Sequence, residues 1–288
     1  MRSMLAPGLI MTVVVACSPG SGGSGVPAAS GASAAVATPT APEPSGTASA
    51  AIDPLSSPSI TGRFAVSDGR QLALTCWGTG SPTVVLVGGH PSDGIADFEG
   101  TQFVRLLAAE TRTCAYSRSG YRGSDPAPNE PRTADDVNAD LKELLAAAEV
   151  DGPLVLVGSS FGGMIVTYYA DRHPDDIVGV VLLDVPAPSA SLTLEELPEV
   201  AWDHPANPEH VDVIPEFEGR FARERLPIDA PLTVITATDG QSSLDDQRIW
   251  LEINPDGTQV ELQGGHDIYQ DDPEGTAAEI LKVVDAAT

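Results

Sequence analysis

The feature that most constrains this chain is a turn with the sequence Gly-Ser-Ser-Phe-Gly-Gly at residues 158–163. The apolar run 154–157 before it is typical of a buried parallel strand, and the stretch 164–172 after it favours a helix. The pattern G-x-S-x-G therefore places Ser160 at the tip of a sharp strand-to-helix turn, where only very small neighbours fit. This predicts a nucleophilic serine. The alternative is a glycine-rich turn that only packs a helix against a strand.

Charge and composition exclude several classes of function. The chain has 288 residues, with 15 basic and 41 acidic side chains and a net charge of −26. No cluster of Lys and Arg offers contacts to phosphates, so we expect no nucleic-acid partner. No group of His, Cys and Asp has the spacing of metal ligands, and the glycine-rich turns lack the lysine of a nucleotide-binding loop. We therefore expect no metal and no cofactor.

The first residues have the pattern of an export signal. Residues 1–16 carry one basic side chain and then an apolar run that is too short to span a bilayer. The sequence Val-Val-Ala-Cys at 14–17 resembles a bacterial lipobox, which implies that Cys17 becomes the lipidated first residue. The predicted location is the extracytoplasmic face of a bacterial cell membrane. The alternative is an ordinary secreted protein.

Two regions follow the signal. Residues 17–58 are almost entirely Ser, Gly, Ala, Pro and Thr, a composition that predicts a disordered tether. Residues 59–288 alternate strand and helix patterns, which favours an α/β domain with a mostly parallel sheet. The strands are predicted at 60–66, 71–77, 83–87, 112–116, 154–157, 178–183, 232–235 and 259–262, and the longer helices near 97–109, 133–149, 164–172 and 274–286.

Four motifs stand out in this domain: the turn at 158–163, Gly-Gly-His-Pro at 88–91, Ser-Arg-Ser-Gly-Tyr-Arg-Gly-Ser-Asp at 117–125 and Gly-Gly-His at 264–266. With these motifs the domain resembles the α/β-hydrolase fold over nearly all of residues 60–288. The resemblance implies an eight-stranded, mostly parallel sheet flanked by helices, with a cap at about 186–230. We expect two short cap helices, Leu192–Val200 and Pro215–Leu226.

The order of catalytic residues in this fold is serine, acid, histidine. Ser160, Asp239 and His266 satisfy that order, with His266 as general base and then general acid. Asp239 ends the stretch Thr-Ala-Thr-Asp at 236–239, just past the predicted strand 232–235, and is the favoured acid. Asp184 ends the preceding strand and is the alternative acid.

The oxyanion hole is expected to consist of two backbone N–H groups. Phe161, directly after the nucleophile, supplies one of them. The loop after the third strand supplies the other, which we assign to His90. Because a backbone donor does not depend on its side chain, the His90 ring itself needs no role in proton transfer.

Two cysteines remain once Cys17 is set aside. An even pair in an exported protein indicates a disulfide between Cys76 and Cys114, and the alternative is two buried thiols. The strand order that the resemblance implies, 1-2-4-3-5-6-7-8, makes the second and fourth strands neighbours. Since each of these strands holds one cysteine, the resemblance supports the bridge.

A serine nucleophile narrows the chemistry that the resemblance implies. Relatives that open epoxides or remove halogens place an aspartate at the centre of the turn, whereas this chain has Ser160. We therefore expect a monomeric carboxylesterase that acts on small esters through an acyl-enzyme. The alternatives are a serine peptidase of the aminopeptidase type, which cleaves amides, and a non-catalytic lipoprotein that uses the pocket to bind a ligand.

Overall fold

The apolar runs of the sequence form the centre of an eight-stranded sheet. A computed structural model describes residues 53–92, 94–187, 193–218 and 227–288. In these residues the strands lie in the order β1-β2-β4-β3-β5-β6-β7-β8, which is the expected α/β-hydrolase order. The strands are β1 Ile60–Ala65, β2 Gln71–Trp77, β3 Thr83–Val87, β4 Thr113–Ser117, β5 Leu154–Ser159, β6 Ile177–Leu183, β7 Leu232–Asp239 and β8 Thr258–Gly265.

The strands from β4 to β8 across the sheet are parallel, whereas β2 is antiparallel to both β1 and β4. Strands β3 and β5 are buried at every position. Such continuous burial requires a layer of helices on each face of the sheet. The carboxyl ends of the parallel strands meet at one edge, which is where an α/β sheet builds its site.

The helices cover the sheet on both sides. On one face α2 and α3 pack over a core that includes Leu141 and Ile165, and on the other α1 and α6 pack over a core that includes Phe103 and Ile280. Within the described ranges the α-helices are α1 Gln102–Glu110, α2 Ala134–Ala147, α3 Phe161–Arg172, α4 Leu244–Gln247, α5 Ile268–Asp271 and α6 Pro273–Ala286.

Helix α1 begins later than the sequence pattern predicts. A separate 3-10 turn occupies Gly94–Asp97, and the α-helix starts after Thr101. The Thr101 side chain accepts a hydrogen bond from the Val104 amide, which satisfies one of the free N–H groups at the helix start. The cap residue therefore defines the boundary, although the apolar pattern extends further back.

The expected disulfide is present. Cys76 and Cys114 are direct partners on the antiparallel strands β2 and β4, with their Cα atoms 3.9 Å apart and an S–S distance of 2.07 Å. Both residues are fully buried. The bridge therefore fastens the antiparallel end of the sheet to its parallel part.

The cap region differs from its expected helices. A turn at 194–196 and a 3-10 turn at Pro198–Val200 stand where a helix was expected at 192–200. A proline inside a helix removes a hydrogen bond and clashes with the preceding turn. A single π-helical turn, Ile214–Glu218, lies where the second helix was expected to begin. Cap residues 188–192 and 219–226 lie outside the described residues.

The predicted signal peptide at 1–16, the proposed lipidation site Cys17 and most of the tether at 17–58 also lie outside the described residues. The residues that the structure describes all belong to one compact unit. Within the described parts of the chain, no helix combines the length and the apolar character that a membrane span requires.

Candidate active site

Ser160 occupies a strained turn between β5 and α3. Its backbone has φ 52° and ψ −129°, a conformation that costs a residue other than glycine about 1–3 kcal/mol. The Ser160 amide donates to the Leu183 carbonyl at 3.1 Å, which ties the turn to the neighbouring strand β6. The surrounding sheet therefore holds the serine in a partly buried, strained position at the strand tip, where the turn motif predicts it.

The glycines of the turn are required by close packing. A Cβ atom added to Gly158 would lie 2.5 Å from the carbonyl carbon of Gly162 and 2.5 Å from the Cα of Gly163. Real Cβ atoms do not approach backbone so closely, so a larger residue would push α3 away from β5. The spacing G-x-S-x-G thus has the steric origin that the sequence suggested.

His266 follows β8 and points its imidazole at a buried carboxylate. Its Nδ1 lies 2.7 Å from Oδ2 of Asp184, while the His266 side chain keeps 26% of its surface exposed. A carboxylate that accepts from Nδ1–H fixes the tautomer in which Nε2 is free to accept a proton. The pair is therefore oriented for general-base chemistry at Nε2.

Asp184 is fully buried at the end of β6 and is surrounded by donors. Its carboxylate accepts from the Gln247 side-chain amide at 2.8 Å, the Gln241 backbone N–H at 3.0 Å and the Ala237 backbone N–H at 3.3 Å. Burial by itself raises the pKa of Asp184, but the hydrogen bonds from His266, Gln241, Gln247 and Ala237 outweigh it and bring the pKa below its usual value of 3.8. The carboxylate is therefore ionised at neutral pH.

The structure brings Asp184, rather than Asp239, into contact with His266. Asp239, which the sequence favoured, is exposed at the end of β7, where its closest side-chain contacts are Gln263 Nε2 at 3.4 Å and Thr238 Oγ1 at 3.5 Å. Asp184, the alternative, holds the histidine. Asp184 has a positive φ of 43°, and its carboxylate accepts from the backbone N–H of Ala237 within β7 and of Gln241 just after β7.

Ser160 and His266 line the same cavity of about 270 Å³. Their elements meet there because β5 and β8 end at the same edge of the sheet. Two carboxylates, those of Asp97 and Asp267, also border the cavity, and the ring of Tyr269 completes one wall. The cavity is therefore a small, polar space next to the serine and the histidine.

The loop after β3 approaches the serine closely. A Cβ atom on Gly89 would lie 2.9 Å from Cβ and 3.4 Å from Oγ of Ser160, so the Gly89 backbone is packed against the nucleophile. The His90 ring is half-buried, forms a 3.0 Å hydrogen bond with the Tyr121 hydroxyl through Nδ1 and stands edge-on to Phe161. Phe161 opens α3, and its N–H belongs to the first turn, which has no acceptor within the helix.

Burial is the main reason that the pKa of His90 lies below its usual value of 6.5, and the nearby Glu209 opposes this effect. His90 is therefore neutral at pH 7. The assignment of the Phe161 and His90 backbone groups as oxyanion donors stays a prediction.

Sequence reasoning gave no role to three buried residues that support the site. Gln247 on α4 holds the carboxylate of Asp184, and Arg118 and Glu209 form an ion pair beneath the loop after β3. Arg118 belongs to the motif at 117–125, and its place in that motif was the signal that the sequence offered. Its burial and its partners appear only in the structure.

The arrangement can support nucleophilic catalysis by a serine that a histidine activates. No group of three or more His, Cys, Asp and Glu side chains that could hold a metal ion occurs in the part of the chain that the structure describes.

Comparison with known proteins places this geometry in context. The profile of the "alpha/beta hydrolase fold" family matches residues 82–212, a segment that includes Ser160 and Asp184. Among curated proteins, Lipase LipV of Mycobacterium tuberculosis is 35% identical over 77 residues, which are 27% of this chain and 28% of LipV. Epoxide hydrolase 4 of Mus musculus is 31% identical over 111 residues, which are 38% of this chain and 30% of that protein.

Solved structures resemble the chain over a longer stretch. A thermophilic esterase from Thermogutta terrifontis superimposes with a TM-score of 0.63 at 19% identity, over 79% of this chain and 98% of the esterase. This likeness shows the fold. The chain spans between 12% and 38% of the length of the curated relatives that it matches.

Proposed function

For this chain, which belongs to the α/β-hydrolase fold superfamily, we propose the function of a serine hydrolase that cleaves carboxylic esters through an acyl-enzyme. The proposed residues are Ser160 as nucleophile, His266 as general base and acid, and Asp184 as the acid that orients His266. The observation that carries the proposal is the 2.7 Å contact between His266 Nδ1 and Asp184 at the cavity that also contains Ser160.

The proposed reaction has two halves. In the first, Ser160 Oγ attacks the ester carbonyl while its proton moves to Nε2 of His266. The tetrahedral intermediate then collapses, the bond to the alcohol oxygen breaks, and His266 gives the proton to the departing alcohol. In the second, His266 takes a proton from water, whose oxygen attacks the acyl carbon. The acid product leaves and Ser160 regains its proton.

The charge of the tetrahedral oxygen requires donors that are already in place. We assign this role to the backbone N–H groups of Phe161 and His90. The first lies at the start of α3, where the helix dipole adds positive potential. The second lies in the loop that packs against Ser160. The negative charge of Asp184 stabilises the imidazolium that forms in the same step.

A serine at the centre of the turn separates this chain from relatives that open epoxides. A serine nucleophile forms an acyl-enzyme that water hydrolyses by the route above. Epoxide opening in this superfamily instead uses an aspartate at the same position. The small cavity of about 270 Å³ favours short acyl groups. We therefore expect activity on short p-nitrophenyl esters, with acetate and butyrate preferred over long chains.

The test labels the protein with a fluorophosphonate probe and maps the modified peptide. Hydrolysis of p-nitrophenyl acetate and p-nitrophenyl butyrate is measured in parallel. We expect one adduct on Ser160, and Ser160→Ala should lose both the label and the hydrolysis. Ser159→Ala is the matched control, since it removes the neighbouring hydroxyl and should keep the label. Full ester hydrolysis in Ser160→Ala would reject the proposed nucleophile.

A second candidate is the hydrolysis of amides that carry a free amine. Asp97 and Asp267 border the cavity, and their negative charge would favour an ammonium group beside Ser160. Aminoacyl p-nitroanilides measured in parallel with the esters separate the two activities. A protein that is not labelled and hydrolyses neither class would instead be the ligand-binding alternative.

We also propose that the domain is attached to the outer face of a bacterial membrane through lipid on Cys17. The support is the sequence pattern at 14–17 alone. Expression in a bacterial host followed by phase partitioning in detergent tests it, with Cys17→Ala as control. Release of the wild-type protein into the aqueous phase would contradict the anchor.

A further inference from the structure

Arg118 is a buried cation that the proposed reaction does not use directly. It lies directly after β4 with 4% of its surface exposed, and its Nε donates to Glu209 at 2.7 Å. Glu209 is 1% exposed and comes from the cap region between β6 and β7. Burying two charges costs several kcal/mol each unless their hydrogen bonds are satisfied, so the remaining donors of Arg118 need strong partners.

Those partners are the carbonyls of the loop that packs against Ser160. Arg118 Nη1 donates to the Gly88 carbonyl at 2.6 Å, and Nη2 donates to the Gly89 carbonyl at 2.7 Å. The guanidinium is also within 5.6 Å of the ring centre of Phe161. One side chain therefore contacts two successive peptide groups of the loop and the residue that follows the nucleophile.

Because peptide bonds are planar, the contact of Arg118 with the two carbonyls also sets the direction of the N–H groups of Gly89 and His90. In a trans peptide unit the C=O and the N–H point in opposite directions. The unit whose carbonyl is at Gly88 carries the N–H of Gly89, and the unit whose carbonyl is at Gly89 carries the N–H of His90. Fixing both carbonyls on Arg118 therefore aims both N–H groups away from it. The guanidinium also polarises both peptide units, which strengthens their N–H groups as donors.

Glu209 is in turn held firmly. The carbonyl of Glu209 accepts from Arg132 Nη1 at 3.3 Å, and the next carbonyl, that of His210, accepts from the Arg132 backbone N–H at 2.7 Å. The side chain of Asn207 donates to the carbonyls of Val200, Ala201 and Val211. The counter-charge of Arg118 is therefore supplied by a segment that is bound to the core.

We propose that Arg118, with Glu209 as its buried partner, is a positioning residue that holds the Gly88–His90 loop so that its backbone N–H groups stabilise the oxyanion. The inference rests on the proposed function for its kinetic consequence. Arg118 contacts neither the ester nor Ser160 in this scheme and acts through the two peptide groups. Glu209 makes the burial of Arg118 possible and connects the loop to the cap.

The main test variant is the double substitution Arg118→Met with Glu209→Met. It removes both charges together, which for a buried pair is often neutral for stability, and so avoids leaving one charge unpaired. Arg118→Lys is the second variant, because an ammonium cannot bind two carbonyls and a carboxylate with a planar fork. Arg70→Met is the matched control, since Arg70 pairs with Asp140 and Ser119 and does not contact the loop.

Removing one oxyanion donor typically lowers kcat by about 10²–10³-fold. We expect the double variant to lower kcat for p-nitrophenyl butyrate by about 10²-fold with little change in KM, because the lost interaction acts in the transition state. Binding of a trifluoromethyl ketone, which forms a tetrahedral adduct on Ser160, should weaken by a similar factor. Arg118→Lys should fall between the double variant and wild type, and Arg70→Met should keep kcat within about twofold.

A second readout does not depend on catalysis. The 15N order parameters of the Gly89 and His90 amides should be about 0.85 in wild type and below about 0.6 in the double variant. Unchanged kcat and unchanged order parameters in a folded double variant would overturn the positioning role. If wild type hydrolyses no ester and Ser160 takes no label, the proposed function fails, and the order parameters alone then decide whether Arg118 holds the loop.

Discussion

Replacing Asp184 by Asn tests the most specific feature of the site. The substitution keeps the size of the side chain and removes its charge from a fully buried position 2.7 Å from His266. When His266 takes the proton of Ser160, the carboxylate and the imidazolium carry opposite charges about 4 Å apart. At an effective dielectric constant of about 20, that attraction is about 4 kcal/mol.

This energy converts into a rate. Each 1.36 kcal/mol changes a rate about tenfold, so the lost attraction predicts a fall in kcat of about 10³-fold. The Asn amide can also donate to Nδ1 and thereby stabilise the wrong tautomer of His266, which brings the expected loss toward about 10⁴-fold. KM should change little, because the charge is needed in the transition state.

The matched control is Asp239→Asn, which removes a carboxylate of the same type from the end of the next strand. Asp239 is exposed and makes side-chain contacts at 3.4 Å or longer. We expect its kcat to stay within about twofold of wild type, as for most surface substitutions. Hydrolysis of p-nitrophenyl butyrate, with circular dichroism to confirm folding, is the assay. A loss confined to Asp239→Asn, with Asp184→Asn near wild type, would refute the assignment of the acid.

Further predictions concern stability. The double variant Cys76→Ala with Cys114→Ala should lower the free energy of unfolding, measured by urea denaturation, by up to about 4 kcal/mol in the chain-entropy model. A reductant should not lower the stability of this variant further. An unchanged urea midpoint would contradict a structural bridge. The pKa of His90 is lowered by burial, so the unfolded chain binds a proton more readily than the folded one. Stability should therefore fall as the pH drops below about 6.5, and His90→Gln should reduce this slope. An equal slope in both proteins would contradict the prediction.

Local sequence determined much of this protein. Strands such as β3 and β5 are continuous apolar runs whose burial follows from composition alone. Gly158 follows from sterics within the turn itself, whereas Gly162 is required by the backbone at Val87 and Gly163 by the Val185 side chain. The histidine after β8 is marked by its Gly-Gly neighbours. The fold family and the Cys76–Cys114 bridge could likewise be predicted, because the motifs resemble a family whose strand order makes the two cysteine-bearing strands neighbours.

Helix limits in the cap were less predictable. Short helices were expected at 192–200 and 215–226, whereas the described residues show a 3-10 turn and a π-helical turn. The cap packs on the sheet domain, so its conformation depends on tertiary contacts such as the ion pair between Glu209 and Arg118. Contacts between residues 91 positions apart in sequence are not encoded in local periodicity.

Only the tertiary structure decided which carboxylate contacts His266. Asp184 and Asp239 each end a parallel strand, and β6 and β7 are neighbours, so both reach the same edge of the sheet. The local pattern of the two residues is alike. The difference is that the amides of Ala237 and Gln241 and the side chain of Gln247 converge on Asp184, because the chain after β7 folds back over it. A charge can be buried only where donors meet it, and that meeting is set by three-dimensional packing.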